Sequence, residues 1–207
     1  MHDALIFDLD GTLWDTSAAC AVSWNNVLAR TGIAFRVMTE HDVRAVTGLS
    51  HEGCIRAAFA GLSEQQLLTL VRETIIEDNL VVRERGADLY PGVREGIVRL
   101  AATYPLFIVS NCQSGYIEMF TSLTNLSTCF VDFECWGNTG LSKAENLASV
   151  IARNALKRAL FIGDMQSDQT AARETNTPFA FVEYGFGDCP DAALRFATFD
   201  ALIAHLT

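Results

Sequence analysis

The chain has 207 residues, of which 50% are hydrophobic and 19% are charged, so it can bury a sizeable core and extensive disorder is not expected. Its formal net charge of −10 disfavours nucleic acid and anionic membranes as main partners. It has no apolar stretch near the ~20 residues of a membrane span, and its six cysteines are scattered without a C-x-x-C pair, which disfavours a zinc site. We therefore expect a soluble, cytoplasmic protein with reduced thiols.

The first predicted element is a short buried strand, residues 4–7, of sequence Ala-Leu-Ile-Phe. A polar turn follows it directly, Asp8-Leu9-Asp10-Gly11-Thr12. Two carboxylates two residues apart at the end of a buried strand repel each other unless a cation lies between them or one is protonated. The turn is therefore a candidate functional segment.

Residues 17–85 show helical periodicity and no convincing strand. Thr39 and Ser63 precede helical patterns and are predicted N-caps, Ser63 with Gln66 as a capping box. The segment is predicted to be a helical unit of its own. His41 and His51 within it, and His205 later in the chain, are expected at the surface.

After Tyr90-Pro91-Gly92 the pattern changes to alternating helices and short apolar strands. The predicted strands are Leu106–Val109, Phe130–Glu134, Ala159–Ile162 and Phe179–Val182. The predicted helices are Val93–Thr103, Gly115–Leu123, Lys143–Asn154, Asp168–Thr175 and Phe199–Leu206. Asn176 is predicted to end a helix in the left-handed conformation.

This alternation predicts an α/β fold, a doubly wound (Rossmann-like) parallel sheet with an inserted α-helical cap. We expect residues 1–15 and 88–207 to form the core and residues 16–87 to form the cap.

Polar residues follow several predicted strands. Asp8 and Asp10 follow the first strand, Ser110-Asn111 the second, and Gly163-Asp164 a later one. Ligands of open parallel sheets bind beyond the carboxyl ends of the strands. Oxygen-only ligands, here Asp8, Asp10 and Asp164 with Asp168 four residues on, favour Mg²⁺.

These residue types suit attack on a phosphate ester. A carboxylate at Asp8 can attack phosphorus and form an aspartyl-phosphate, and Asp10 can protonate the leaving alcohol and later deprotonate water. Ser110, Asn111 and Lys143, one of only two lysines, can hold the phosphoryl oxygens.

The chain resembles the haloacid dehalogenase superfamily over essentially its whole length, in the phosphoglycolate phosphatase-like and β-phosphoglucomutase-like subgroup. The segments that carry the resemblance are Phe7-Asp8-Leu9-Asp10-Gly11-Thr12-Leu13 with Asp15, Leu89-Tyr90-Pro91-Gly92-Val93, Val109-Ser110-Asn111, Lys143, and Gly163-Asp164-Met165-Gln166-Ser167-Asp168. One departure is Ser142-Lys143-Ala144, where relatives often read Lys-Pro.

The resemblance implies roles for these positions. Asp8 would be the nucleophile and Asp10 the general acid/base, with phosphate held by Ser110, Asn111 and Lys143. Mg²⁺ would be bound by Asp8, the backbone carbonyl of Asp10, and Asp164, with Asp168 in support. The expected function is hydrolysis of a small phosphorylated metabolite.

Further candidates for substrate contacts are less specific. Trp14 lies one turn past the nucleophile and is a candidate for the substrate entrance. In the cap, the candidates are Arg44, Gly48, Ser50 and Arg56.

Two alternatives remain at this point. One is a phosphosugar mutase similar to β-phosphoglucomutase, although His51 stands where mutases carry a basic cap residue. The other is a non-catalytic phosphate-binding protein that kept the fold. The dehalogenase reaction is disfavoured by Asp10, and Schiff-base phosphonate cleavage by the lack of any lysine before Lys143.

Overall fold

The computed structural model describes residues 2–207, which form two compact units. The first comprises the described residues up to Trp14 together with Leu89–Thr207, and the second is Asp15–Asp88. The domain limits expected from the sequence, 15/16 and 87/88, lie one residue away from these boundaries.

The first unit is built on a six-stranded sheet in the order β5-β4-β1-β6-β7-β8, with every neighbouring pair parallel. Its strands are β1 (Ala4–Phe7), β4 (Leu106–Ser110), β5 (Phe130–Cys135), β6 (Ala159–Gly163), β7 (Phe179–Val182) and β8 (Leu194–Phe196). Two further short strands, β2 (Trp14–Asp15) and β3 (Asp88–Leu89), form a two-stranded sheet at the points where the chain passes between the units.

Helices cover both faces of the six-stranded sheet. They are α5 (Val93–Ala101), α6 (Tyr116–Thr124), α7 (Trp136–Thr139), α8 (Lys143–Arg153), α9 (Gln166–Glu174) and α10 (Phe199–Leu206). Leu147 and Val150 of α8 and Ala171 of α9 pack on one face in a cluster with Ile6 and Phe107.

On the opposite face, Phe199 of α10 lies 6.2 Å from Phe7, between ring centroids. A Cβ at Gly96 of α5 would come within 2.6 Å of the Phe199 ring, so glycine permits close packing of α5 on α10. The architecture is therefore the doubly wound α/β fold predicted from the sequence.

The second unit is helical, with α1 (Ser17–Thr31), α2 (Glu40–Arg44), α3 (His51–Ala58) and α4 (Glu64–Arg85). Helices α1 and α4 pack side by side, and Arg30 joins them through ion pairs to Glu77 and Glu73. Thr39 and Ser63 cap α2 and α4, and Ser63 forms its capping box with Gln66, as predicted.

One expectation for this unit was wrong. His51 is buried and not at the surface, because its ring lies among helices of the cap, where Nε2 is 3.0 Å from Thr74 Oγ1 and Nδ1 is 3.7 Å from Asp78 Oδ2.

The predicted strands of the first unit are all present, with ends within one residue of the predictions, and Asn176 has the left-handed φ of 53°. The elements that the sequence did not indicate are α7, β8 and the β2–β3 pair. Within the described chain, no helix combines the length and hydrophobicity that crossing a bilayer requires.

Candidate active site

The carboxyl end of β1 lies at the centre of the sheet, between β4 and β6. Phe7 is in register with Ile108 of β4 and Ile162 of β6, and the Asp8 N–H donates to the Ile162 carbonyl at 2.8 Å. Asp8 therefore stands where β4 ends at Ser110 and β6 ends at Gly163. Parallel strands place the loops after these three strands at one edge of the sheet.

Four buried charged side chains meet at this edge. Carboxylate oxygens of Asp8, Asp164 and Asp168 lie within 4.8 Å of one another. Lys143 Nζ lies 2.6 Å from Asp168 Oδ1 and 3.0 Å from Asp8 Oδ1. None of the four residues is more than 5% exposed. Three carboxylates thus face a single ammonium group, which leaves an excess of negative charge in a region shielded from water.

The pKa values of these groups reflect burial and mutual repulsion. Burial, followed by the charge of Asp168, raises the pKa of Asp8 to about 7 against the opposing effect of Lys143. Burial and the charges of Asp168 and Asp8 also hold the pKa of Asp164 well above its ordinary value. Burial alone would lower the pKa of Lys143, but Asp168 and Asp8 outweigh it and raise that pKa.

Asp164 is held by donors from two distant segments. Thr12 Oγ1 donates to Oδ1 at 3.0 Å, and the Phe186 N–H donates to Oδ2 at 2.8 Å. Gly11, with φ of +88°, passes so close that a Cβ would lie 2.2 Å from Asp164 Oδ2. The Asp-Gly-Thr turn therefore needs glycine both for its backbone conformation and for the approach of Asp164.

Asp168 is oriented by the beginning of α9. Its Oδ2 accepts from the N–H groups of Asp164 and Met165, at 3.1 and 2.9 Å, while its Oδ1 accepts from Lys143. Both oxygens are thus engaged, which suits a residue that fixes Lys143 and the Asp164 backbone.

The cluster fits a divalent cation of the Mg²⁺ type. Its ligand atoms are carboxylate oxygens without histidine or cysteine, which is the donor set that Mg²⁺ prefers. Asp8 Oδ1 is buried and accepts no directed hydrogen bond from the described residues, although it is ion-paired with Lys143. A cation would also neutralise the excess negative charge.

Lys143 is placed by the first turn of α8. Ser142 is the N-cap of α8 and forms a capping box with Glu145, with Ser142 Oγ accepting from the Glu145 N–H at 3.2 Å. Lys143 is the first residue of the helix. The serine cap therefore fixes the start of this helix, without the proline that relatives often carry after this lysine.

The remaining core candidates lie at the same edge. Ser110 is the buried last residue of β4, and its Oγ accepts from the Cys112 N–H at 3.3 Å. Asn111 begins the following loop. Asp10 is two residues beyond Asp8, and its Oδ1 accepts hydrogen bonds from Trp14 Nε1 at 2.9 Å and Tyr116 OH at 3.1 Å.

Trp14 is expected from the sequence at a substrate entrance. Its side chain is only 1% exposed, which does not fit that position. Its indole packs edge-on against Tyr116 and Phe120, with centroids 5.2 and 5.0 Å away. The side chain is a buried donor to Asp10.

The cap candidates make contacts within their own unit. Arg44 bonds to Asp15 and Ser17 and is ion-paired with Glu40. Arg56 is ion-paired with Glu52 and Glu64. Ser50 is the N-cap of α3 and accepts from the Gly53 N–H, and Gly48 has a φ of +99°. Their sequence-based roles as substrate contacts remain predictions.

Sequence reasoning missed several residues that shape the site. The turn motif contains Thr12 but gives it no role, and no sequence pattern predicts a role for Tyr116 or for the loop after β7. In that loop Tyr184 OH donates to the Thr12 carbonyl at 2.8 Å, and a Cβ at Gly185 would lie 2.3 Å from Asp164 Cβ. The available signal was the Gly185-Phe186-Gly187 pattern, which begins shortly after a strand.

The comparison with known families is decisive at this point. The profile of haloacid dehalogenase-like hydrolases matches residues 5–182. The chain belongs to this family.

Curated relatives extend the match to particular enzymes. A phosphoglycolate phosphatase from Rhodobacter capsulatus is 30% identical over 98% of this chain and 95% of its own length. A phosphoglycolate phosphatase from Agrobacterium fabrum (strain C58 / ATCC 33970) is 28% identical over 92% of this chain and 84% of its own length. Together, the family and these relatives identify this haloacid dehalogenase-like protein as a phosphatase.

Solved structures agree on the fold. A predicted phosphoglycolate phosphatase from Haemophilus somnus superposes with a TM-score of 0.86 at 21% identity, covering 100% of this chain and 98% of the other. A haloacid dehalogenase-like hydrolase from Streptococcus pneumoniae gives a TM-score of 0.84 at 20% identity, with coverage of 100% and 99%. Because both structures cover 100% of this chain, the similarity of fold extends over the helical cap as well as the sheet.

Proposed function

We propose that this phosphatase hydrolyses a small phosphomonoester through an aspartyl-phosphate on Asp8, with Mg²⁺ as cofactor. The observation that carries the proposal is the buried cluster of Asp8, Asp164 and Asp168 around Lys143. Phosphoglycolate is the first substrate to test, because it is named for the curated relatives.

Asp8 supplies the nucleophile. Its carboxylate attacks phosphorus, the bond to the alcohol oxygen breaks, and the phosphoryl group is left on Asp8. Lys143, 3.0 Å from Asp8, provides fixed positive charge for the phosphoryl oxygens, and Ser110 and Asn111 offer donors at the neighbouring strand end.

Asp10 moves the protons. It gives one to the leaving alcohol and takes one from the water that later attacks the phosphoryl group. Bound Mg²⁺, held by Asp8, Asp164 and the backbone carbonyl of Asp10, would supply charge neutralisation for the phosphoryl group and the carboxylates. Asp168 would act in support through Lys143 and the backbone of Asp164.

The cap favours hydrolysis over a mutase reaction. A mutase would need a basic group facing the substrate at His51, whereas this ring is buried against Thr74 and Asp78. Burial also lowers the pKa of His51 to about 4, so the ring is neutral near pH 7.

The test is phosphate release from phosphoglycolate and a panel of phosphorylated metabolites, with Mg²⁺ and with a chelator. We expect Mg²⁺-dependent turnover that Asp8→Asn lowers by roughly 10³-fold or more. Asp191→Asn, an exposed change of the same kind, serves as control and should keep full activity. Acid-quenched enzyme should carry a phosphoryl group on the peptide that contains Asp8.

Turnover that survives Asp8→Asn would refute the nucleophile assignment. Turnover that is unaffected by chelation would refute the role of Mg²⁺. Interconversion of sugar phosphates without net phosphate release would favour the mutase alternative, and absence of both reactions the binding-protein alternative.

A further inference from the structure

Two buried side chains donate to the same oxygen of Asp10. Trp14 Nε1 lies 2.9 Å and Tyr116 OH 3.1 Å from Asp10 Oδ1. Trp14 is 1% exposed and Tyr116 is 3% exposed, and their rings pack edge-on at 5.2 Å. The three residues come from two segments of the first unit about a hundred residues apart in the sequence.

The backbone fixes both donors. The Gly11 N–H donates to the Trp14 carbonyl at 3.0 Å, which closes the turn that separates Asp10 from Trp14. Tyr116 is the first residue of α6, directly after the N-cap Gly115, whose φ is +81°. Phe120, one turn further along α6, also packs edge-on against the Trp14 indole. Neither donor can therefore reorient without disturbing this packing.

We propose that Trp14 and Tyr116 are positioning residues that fix the orientation of the Asp10 carboxyl group through its Oδ1. This inference rests on the proposed role of Asp10 as general acid/base. A carboxylate oxygen has two lone pairs, and here Oδ1 uses them to accept two hydrogen bonds. The indole N–H can only donate, so a proton on Oδ1 would face it unfavourably.

The arrangement suits both halves of the reaction. In the first half the Asp10 carboxyl group gives a proton to the alcohol oxygen as the phosphorus–oxygen bond of the substrate breaks. In the second half the Asp10 carboxylate takes a proton from the attacking water as the bond between phosphorus and Asp8 breaks. Oδ1 accepts the same two hydrogen bonds in the neutral and the ionised carboxyl group, so neither transfer requires the two donors to move.

The test compares two substrates that differ in their need for a proton. An alkyl phosphate has a poor leaving group that must be protonated, whereas 4-nitrophenyl phosphate releases a stable phenolate. The parameter is kcat/KM, because it covers the steps up to release of the alcohol. The variants are Tyr116→Phe and Trp14→Phe, which remove a donor and keep an aromatic ring.

We expect each variant to lower kcat/KM for the alkyl phosphate by about 10-fold to 100-fold, a part of what general acid catalysis contributes, and to leave 4-nitrophenyl phosphate within about threefold. Tyr104→Phe is the matched control, because it removes a hydroxyl that donates to Leu206 O elsewhere in the same unit. This variant should change kcat/KM only slightly, and by the same factor for both substrates.

Equal losses for both substrates would indicate a purely structural role and overturn the proposal. Unchanged or increased activity with the alkyl phosphate would overturn it as well. Asp10→Asn separates this failure from failure of the proposed function. If Asp10→Asn selectively abolishes alkyl phosphate turnover while Tyr116→Phe and Trp14→Phe do not, Asp10 remains the acid and only the positioning role is refuted.

Discussion

Charge balance at Lys143 dominates the site at the scale of single residues. The ammonium group is the basic partner of both Asp8 and Asp168, and it is 5% exposed. Removing one partner from a buried group of charges costs far more than the pair itself contributes, because the remaining charges are left without compensation. We therefore expect the site to depend on this lysine for stability, in addition to its proposed role in phosphate binding.

Lys143→Met should destabilise the metal-free protein by about 3–5 kcal/mol, and Mg²⁺ should recover part of this loss, since it supplies positive charge to the same carboxylates. Activity should remain low with Mg²⁺ present. The checks are urea unfolding with chelator and with Mg²⁺, and phosphate release. Lys157→Met, at the exposed second lysine, is the control. Equal effects of the two changes would contradict the prediction.

At the scale of elements, the beginnings of two helices organise the site. Helix α8 begins at Lys143 behind the Ser142 cap, and α9 begins beside Asp168, whose carboxylate accepts from the backbone of Asp164 and Met165. In α8 the Ser142 side chain accepts from the Glu145 N–H in the first turn, and in α9 the Asp168 side chain accepts from two N–H groups just before the helix, one of them in Asp164. The hydrogen bonds at the beginnings of these two helices therefore also help to place Lys143 and Asp164 in the site.

Ser142→Ala should cost about 1 kcal/mol of unfolding free energy and also lower kcat, because Lys143 is the next residue. Ser63→Ala removes an equivalent capping box, formed with Gln66 in the cap unit, and is the matched control. It should cost a similar free energy without lowering kcat. Denaturant unfolding and steady-state kinetics of both variants measure the two effects. A loss of kcat in both, or in neither, would argue against the coupling of cap and site.

The elements also show what the sequence could specify. The apolar runs of β1 and β6 are buried on both faces, so their position and the polar residues after them could be read from the pattern. Strand β8 has three residues with an exposed Arg195 at its centre, which is too short for a periodic signal. The bonds from Phe186 to Asp164 and from Tyr116 to Asp10 join distant segments, and only the folded chain brings them together.

The burial of His51 was missed for a related reason. An isolated histidine in a helical pattern is compatible with either face of a helix, and only the packing of α3 against α4 decides between them. In the cap, its ring contacts Thr74 and the Val71 carbonyl of α4.

At the scale of the whole molecule, this histidine makes stability depend on pH. Burial lowers the pKa of His51 from its ordinary 6.5 to about 4, against the opposing effects of the Val71 carbonyl and Glu52. The nearby Asp78 carboxylate, 3.7 Å from Nδ1, also favours the charged ring, but burial prevails. Because the unfolded chain binds the proton more readily, this contribution to stability is complete above pH 6.5 and is lost as the pH falls towards 4.

Between pH 6.5 and 4 the wild type should lose roughly 3 kcal/mol more unfolding free energy than His51→Gln, which cannot titrate. Urea unfolding at a series of pH values measures this difference. His41→Gln, at an exposed position of the same unit, is the control and should follow the wild type. Parallel pH profiles for the wild type and His51→Gln would contradict the prediction.

The strand order has a consequence for how the protein is made. The central strand β1 leaves the ribosome well before its neighbours β4 and β6, which begin at Leu106 and Ala159. The whole contiguous segment Asp15–Asp88 is synthesised in between. When residue 88 has been synthesised, all residues of the helical segment are present, but the strands that pair with β1 in the sheet are not. Translation order thus lets the inserted segment fold before the sheet that surrounds it in the sequence.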